Sequence, residues 1–207
     1  MTELAAHGIE VTLPTGWEGR LFRRPSAGEV ATADADGPPA PSGETTHAVL
    51  HVSTIALPPG VGDFASGAVD KLGPNDALIV LFEYDPASID QPLFKAEGLP
   101  TKLSDDDFSP SVLQRAIRGQ AGSQRFFHES GRTFCLYVVL GAYANRRRVV
   151  PEVNQVLATL TIGQAGAPSA PTTTAPATTV PPDSTTTTPP STEAPTTEPS
   201  STTTSVP

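Results

Sequence analysis

The chain has 207 residues, a formal net charge of −9, 23 prolines and one cysteine. A lone cysteine excludes an intramolecular disulfide, and the acidic balance argues against nonspecific nucleic-acid binding, which needs clustered Lys and Arg. No run of 18 apolar residues occurs, so no helical membrane span is predicted.

Taken from the N-terminus, Met1 to Pro14 carries Glu3, His7 and Glu10 and no apolar core of a secretory signal. A cytoplasmic location is the expectation. Gly8 to Leu13 alternates apolar and polar residues and predicts a strand. Pro14-Thr15-Gly16 turns it, and Gly19 to Arg23 predicts a second strand, forming a hairpin with Trp17 packed at the bend. Pro25 to Thr45, rich in Ala, Gly, Pro and Asp, reads as a loop.

Thr46 to Leu57 predicts a strong strand, and Asp63 a cap for a short helix reaching Leu72, where Gly73-Pro74 ends it. Ala77 to Tyr84 is apolar almost throughout and predicts a central strand buried on both faces. Asp85 to Asp107, interrupted by Pro86, Pro92 and Pro100, is irregular, and Val112 to Ile117 leans toward a strand. Ser123 to Glu129 and Arg132 to Leu140 flank Ser130-Gly131 and predict a hairpin in which Glu129 faces Arg132 and Phe126 faces Cys135. A closing helix is predicted from Pro151, with Val153, Val156, Leu157 and Leu160 as its apolar stripe.

The composition then changes. From Pro171 to Pro207 there are 15 Thr, 9 Pro and 5 Ser and no Lys, Arg or aromatic residue. Such a segment cannot offset the backbone entropy of ordering, roughly 1–2 kcal/mol per residue. The predicted organisation is one globular α+β domain over residues 1–163, a twisted and mostly antiparallel sheet with covering helices, and a disordered Thr/Pro/Ser tail over 164–207. A tail of this kind is typical of exported or glycosylated segments. Export by a route other than Sec is therefore the alternative to the cytoplasm.

Several patterns invite a chemical reading. Gly60-Val61-Gly62-Asp63-Phe64-Ala65 matches a dinucleotide loop, with Glu83 placed as a ribose ligand. Pro58-Pro59 interrupt the strand that must run straight into such glycines, so a plain turn is expected. His47 and His51 lie on one strand face about 13 Å apart, too far to share a metal ion, and are expected to face solvent or a second layer. Asp105-Asp106-Asp107 lacks the spacing of a calcium loop. Arg146-Arg147-Arg148 reads as the solvated edge of a helix. His128 falls diagonal to Cys135 on one sheet face, which would allow a thiolate–imidazolium pair. Cys135 is flanked by Phe134, Leu136 and Tyr137, however, and predicts a buried core thiol beneath the closing helix. No catalytic set, cofactor site or metal site is predicted.

Leu13 to Arg20, Phe126-Phe127, Gly131 to Gly141 and Val153 to Leu160 resemble a group of uncharacterised actinobacterial proteins, from high-GC Gram-positive bacteria, over most of residues 7–162. A looser likeness is to the PsbP/Mog1-like fold, through the opening Pro-x-Gly-Trp, the late long hairpin and the closing helix. Members of that fold are mostly accessory or binding proteins. The resemblance implies a non-enzymatic module that meets another protein or a cell-envelope component. The alternative is a thiol-dependent enzyme or redox protein built on Cys135 and His128.

Overall fold

A computed structural model describes residues 1–24, 47–59, 64–113 and 115–164. The chain divides into two units, Met1–Ala170 and Pro171–Pro207. The second lies outside the described residues, as do the expected loop between Pro25 and Thr45 and the expected cap at Asp63.

Two antiparallel sheets carry the first unit. The smaller joins β1 (Thr2–Ala6), β2 (Ile9–Leu13) and β8 (Thr161–Ile162) in the order β1-β2-β8. The larger joins β3 (Glu18–Arg23), β4 (Ala48–Ser53), β5 (Ala77–Glu83), β6 (Ala121–Glu129) and β7 (Arg132–Leu140) in the order β3-β4-β5-β7-β6. Helix α1 is a single turn, Ser66–Val69, and α2 spans Arg146–Leu157. The α+β class holds, and β5, the central strand, is buried along its whole length.

The expected opening hairpin is not formed. β2 pairs with β1, a strand absent from the sequence reading, and β3 pairs with β4 in the other sheet. Ile9, Val11 and Leu13 must lie over the large sheet to be buried, and they can do so only if the chain changes sheets at Pro14–Trp17. Gly19 lies close beneath the small sheet after the crossing. A Cβ there would stand 2.6 Å from both Leu13 Cδ1 and Leu4 Cδ1. Trp17 is half-buried and packs against this core from its rim.

The hairpin of β6 and β7 has the predicted register, Glu129 opposite Arg132 and Phe126 opposite Cys135. Its turn uses positive φ at both Ser130 and Gly131 (54° and 74°), and the β1–β2 turn does the same at His7 and Gly8 (55° and 71°). Both are arrangements of the type I′ hairpin, whose twist matches that of the strands.

Three further expectations are corrected. Val112 to Ile117 is not a strand: Pro110–Val112 form a 3₁₀ turn whose first N–H groups are met by the Ser109 hydroxyl, which accepts from Ser111 N. The Ser109 backbone reaches β6 only as an isolated bridge to Gly122. Helix α2 begins at Arg146, leaving Pro151 inside it. An interior proline costs about 3 kcal/mol. The first turns also bury Val149 and Val150, each contributing about 1.5–3 kcal/mol, so burial wins. Finally, α2 does not cover Cys135. Its Val149, Val150, Val153, Val156 and Leu157 meet the sheet face carrying Phe134, Leu136, Val138 and Leu140. Cys135, Tyr137 and Val139 point to the opposite face, under Leu57, Ala65, Ala68, Val69 and Leu72.

One ion pair closes a corner of this architecture. Arg132, 3% exposed, donates from Nε and Nη2 to the two carboxylate oxygens of Glu83, each at 2.8 Å. Glu83 also accepts from Ala48 N at 3.2 Å, and Arg132 Nη1 donates to Gly163 O at 3.0 Å. Burial pushes the Glu83 carboxyl upward, but the Arg132 hydrogen bonds, the Ala48 amide and the Arg132 charge outweigh it and hold it below its ordinary value.

Removing one partner leaves a buried unpaired charge, which costs about 3–5 kcal/mol. Arg132→Met is therefore expected to lower unfolding stability in urea by that amount, and Glu83→Leu with Arg132→Met to recover most of it. Because the Glu83 carboxyl titrates lower when folded, its contribution is present above its unfolded value and is lost as pH falls through the folded one. The wild type should lose stability on acidification more steeply than the double variant, measured by urea midpoints over a pH series.

Candidate functional site

The face of the large sheet away from α2 gathers most of the aromatic residues. Phe82 of β5 lies 5.0 Å from Tyr84 and 4.8 Å from Phe64, ring centre to ring centre. Phe64 is in edge contact with Tyr137 of β7. Tyr84 continues the row to Phe94 at 5.1 Å, and Phe94 to Phe126 of β6 at 5.8 Å. At the opposite edge Phe22 of β3 meets His51 of β4 edge-on at 5.2 Å. Strand alternation places Phe22, His51, Phe82, Tyr137 and Phe126 on one side.

The row is graded in exposure. Phe82, Phe94 and Tyr137 are buried, whereas Phe22, Phe64, Tyr84 and Phe126 are half-buried. Leu93, in the 3₁₀ turn Pro92–Phe94, is 51% exposed beside the row. Half-exposed rings on a paired sheet are rigid, large in area and low in entropy cost when covered, which are the properties of contact residues.

The thiol–imidazole pair is not assembled. Cys135 is fully buried on this face, and Gln124 Nε2 donates to its Sγ at 3.4 Å. Burial pushes the thiol up to about 12, only partly offset by that hydrogen bond. His128 sits opposite Thr133. Its Nδ1 donates to the carbonyl of Phe94 at 2.7 Å, which fixes the tautomer and turns the ring toward the 92–94 turn. A nucleophilic cysteine needs a lowered pKa and an approach from solvent, and Cys135 has neither.

The other patterns also find structural partners. Glu83 is committed to Arg132 and to the Ala48 amide. His51 is fully buried in the second layer, and His47 precedes the strand. Both faces of β4 are covered, which its alternation alone did not indicate. Asp107 caps its own turn through Ser104 N and pairs with Arg125, while Asp105 meets Arg147 at 3.4 Å. Arg146 stacks over Tyr143, with 4.2 Å from guanidinium to ring centre. Among the described residues no group of three or more His, Cys, Asp or Glu could hold a metal ion, and no helix is long and apolar enough to cross a membrane.

A groove of about 500 Å³ runs between Leu103–Asp105 and the Arg147, Val150, Pro151 and Asn154 side of α2. Asn154 closes one wall by bonding both the N–H and the C=O of Leu103 at 2.8 Å. Its polar lining is Ser104, Asp105, Arg147 and Asn154, with Asp105 paired to Arg147.

Comparison with protein-family profiles, with curated proteins and with solved structures gives no match to this chain.

Sequence reasoning did not single out the aromatic face. Its signal was present in the alternation of β5 and β7, but Phe64, Phe94 and Tyr84 join it from turns and strand ends whose placement is decided by packing.

The buried thiol gives a direct measurement. A maleimide or disulfide reagent should modify Cys135 in the folded protein at least about a hundredfold more slowly than in denaturant, as expected for a desolvated thiol. Cys135→Ser should cost about 1–2 kcal/mol through its buried hydroxyl. Rapid labelling of the native chain, slowed by His128→Ala, would restore the enzymatic alternative.

Proposed function

We propose that the first unit is a non-enzymatic binding or accessory module, that its contact surface is the aromatic side of the large sheet, and that the Thr/Pro/Ser segment after it acts as a flexible spacer. The observation that carries this reading is the set Phe22, Phe64, Tyr84 and Phe126, left half-buried on the side of the large sheet away from α2. Single exposed apolar residues are ordinary on protein surfaces, but a contiguous set is a mark of recognition. The partner that fits is a protein or cell-envelope component presenting an apolar surface.

A PsbP/Mog1-like fold draws support from the long β6–β7 hairpin and the closing helix α2, but not from the opening hairpin, which is not formed. The thiol-dependent alternative draws no support from the sealed position of Cys135.

The reading is tested by capture from the native cells, from both the soluble and the envelope fraction, using the immobilised full chain. Phe126→Glu, chosen because the ring is only half-buried, is compared with wild type after both are shown to melt alike. The module reading expects enriched partners to fall at least about tenfold with the variant, since a few central aromatic residues dominate most interfaces. Retention of the same partners by the variant would exclude this face.

A further inference from the structure

The β1–β2 turn stands on a cluster of charged groups that its own hairpin does not require. His7, at φ 55°, directs its ring toward β3, where Arg23 Nε donates to His7 Nδ1 at 3.2 Å. Arginine can only donate, so Nδ1 must carry a lone pair and the imidazole bears its proton on Nε2. Gly8 follows at φ 71°, and a Cβ there would stand 3.0 Å from both Arg132 Nη1 and Gln164 O. The turn therefore rests on Arg132 and on the end of the described chain. Gly163 N donates to Gly8 O at 2.7 Å, Arg132 Nη1 donates to Gly163 O at 3.0 Å, and Ser130 Oγ donates to Ile162 O at 3.0 Å.

We propose that His7 is a proton-operated latch: neutral, it ties the β1–β2 turn to Arg23 and seats Gly8 against Gly163; charged, it releases the turn and loosens the end of β8, from which the Thr/Pro-rich segment continues. The chemistry follows from the atoms in contact. A protonated Nδ1 has no lone pair for Arg23, so the 3.2 Å contact becomes donor against donor. Among the described residues, the charged groups that face His7 are Arg23 from β3, Arg132 from β7 and Glu83 from β5. Glu83 is the only one that would welcome the proton, and its oxygens are held by Arg132 and Ala48 N. Burial first, then Arg23 and Arg132, hold the imidazole below its ordinary value of 6.5 against the pull of Glu83. The neutral form thus prevails near pH 7, and the latch opens as pH falls below the ordinary histidine range. A group depressed on folding stabilises the closed form above its free value and withdraws that support as pH falls through its own.

The test is amide hydrogen exchange of the full chain by NMR between about pH 7.5 and pH 5, corrected for the intrinsic pH dependence of exchange, with the histidine ring signals followed alongside. The latch expects Gly163 N–H protection to fall about tenfold in step with the His7 ring shift while the Val80 amide of the central strand stays protected, as for a local opening. His7→Asn, which tolerates a left-handed turn and does not titrate, should remove the pH dependence. Arg23→Met, which takes away the donor that holds the neutral ring, should weaken Gly163 N–H protection already at pH 7.5 and flatten its response to pH. Gly163 protection that is flat across the His7 titration, that changes equally in His7→Asn, that follows the ring of His47 or His128, or that falls together with Val80, would overturn the proposal.

Discussion

The Glu83–Arg132 pair is the constraint on which the remaining architecture converges. Glu83 ends the central strand and Arg132 begins β7, its neighbour, so the pair locks those strands at one level. The same carboxylate receives the first amide of β4, and the same guanidinium holds the carbonyl that follows β8. Arg24 adds a bond from its Nη2 to Glu83 O at 2.6 Å. Five strands from two sheets, with the turn between β1 and β2, are thereby referred to one buried pair of residues. Desolvating both charges is expensive. The near-complete hydrogen bonding of both groups is what makes their burial tolerable, and it fixes register at an end of the sheet where apolar contacts alone would permit slippage.

From that corner the two faces of the sheet have different fates. One receives the small sheet and α2, so its side chains form a closed core, mostly aliphatic with Phe108, Phe127 and Phe134 among them. The other receives a one-turn helix and irregular segments, whose Leu57, Ala65, Ala68, Val69 and Leu72 cover part of it, and it is rimmed by the half-buried rings Phe22, Phe64, Tyr84 and Phe126. Rings in edge contact keep their geometry when partly wet. This difference is the basis on which the second face is proposed as the contact surface; Cys135 lies beneath it, fully buried, and accepts from Gln124 Nε2.

The local elements were largely legible. β5 announced itself by an unbroken apolar run, and the β6–β7 register followed from Ser130-Gly131 as a two-residue turn. The misreadings share a cause. Pro14-Gly16 looks like a hairpin turn, but it is a crossing between sheets, because burial of Ile9, Val11 and Leu13 against the large sheet puts β2 in the other layer. Pro151 looks like a helix start, but Val149 and Val150 gain more by burial than the proline loses. Val112 to Ile117 has strand composition, yet the preceding Ser109-Pro110 commits the backbone to a turn. In the first two cases local propensity was overridden by partners distant in sequence; in the third a neighbouring turn signal prevailed over strand composition. Nothing in the spacing of Glu83 and Arg132, or of His7 and Arg23, reveals that they meet.

By itself the sequence determined composition-level facts and alternation: an acidic chain without a disulfide, a polar Thr/Pro/Ser extension unable to support a core, a central strand, one long hairpin, and the face of β7 on which Cys135 would lie. These depend on residue type and on periods of two or three to four residues, which are local. The tertiary structure alone decided which layer covers each face, that β1 joins β2 and β3 joins β4, and that one arginine serves a carboxylate and the chain's last strand together. Those outcomes depend on contacts between residues up to about 150 positions apart, as where Thr159 Oγ1 meets Thr12. Their energies arise only when burial brings both partners into the same water-free space.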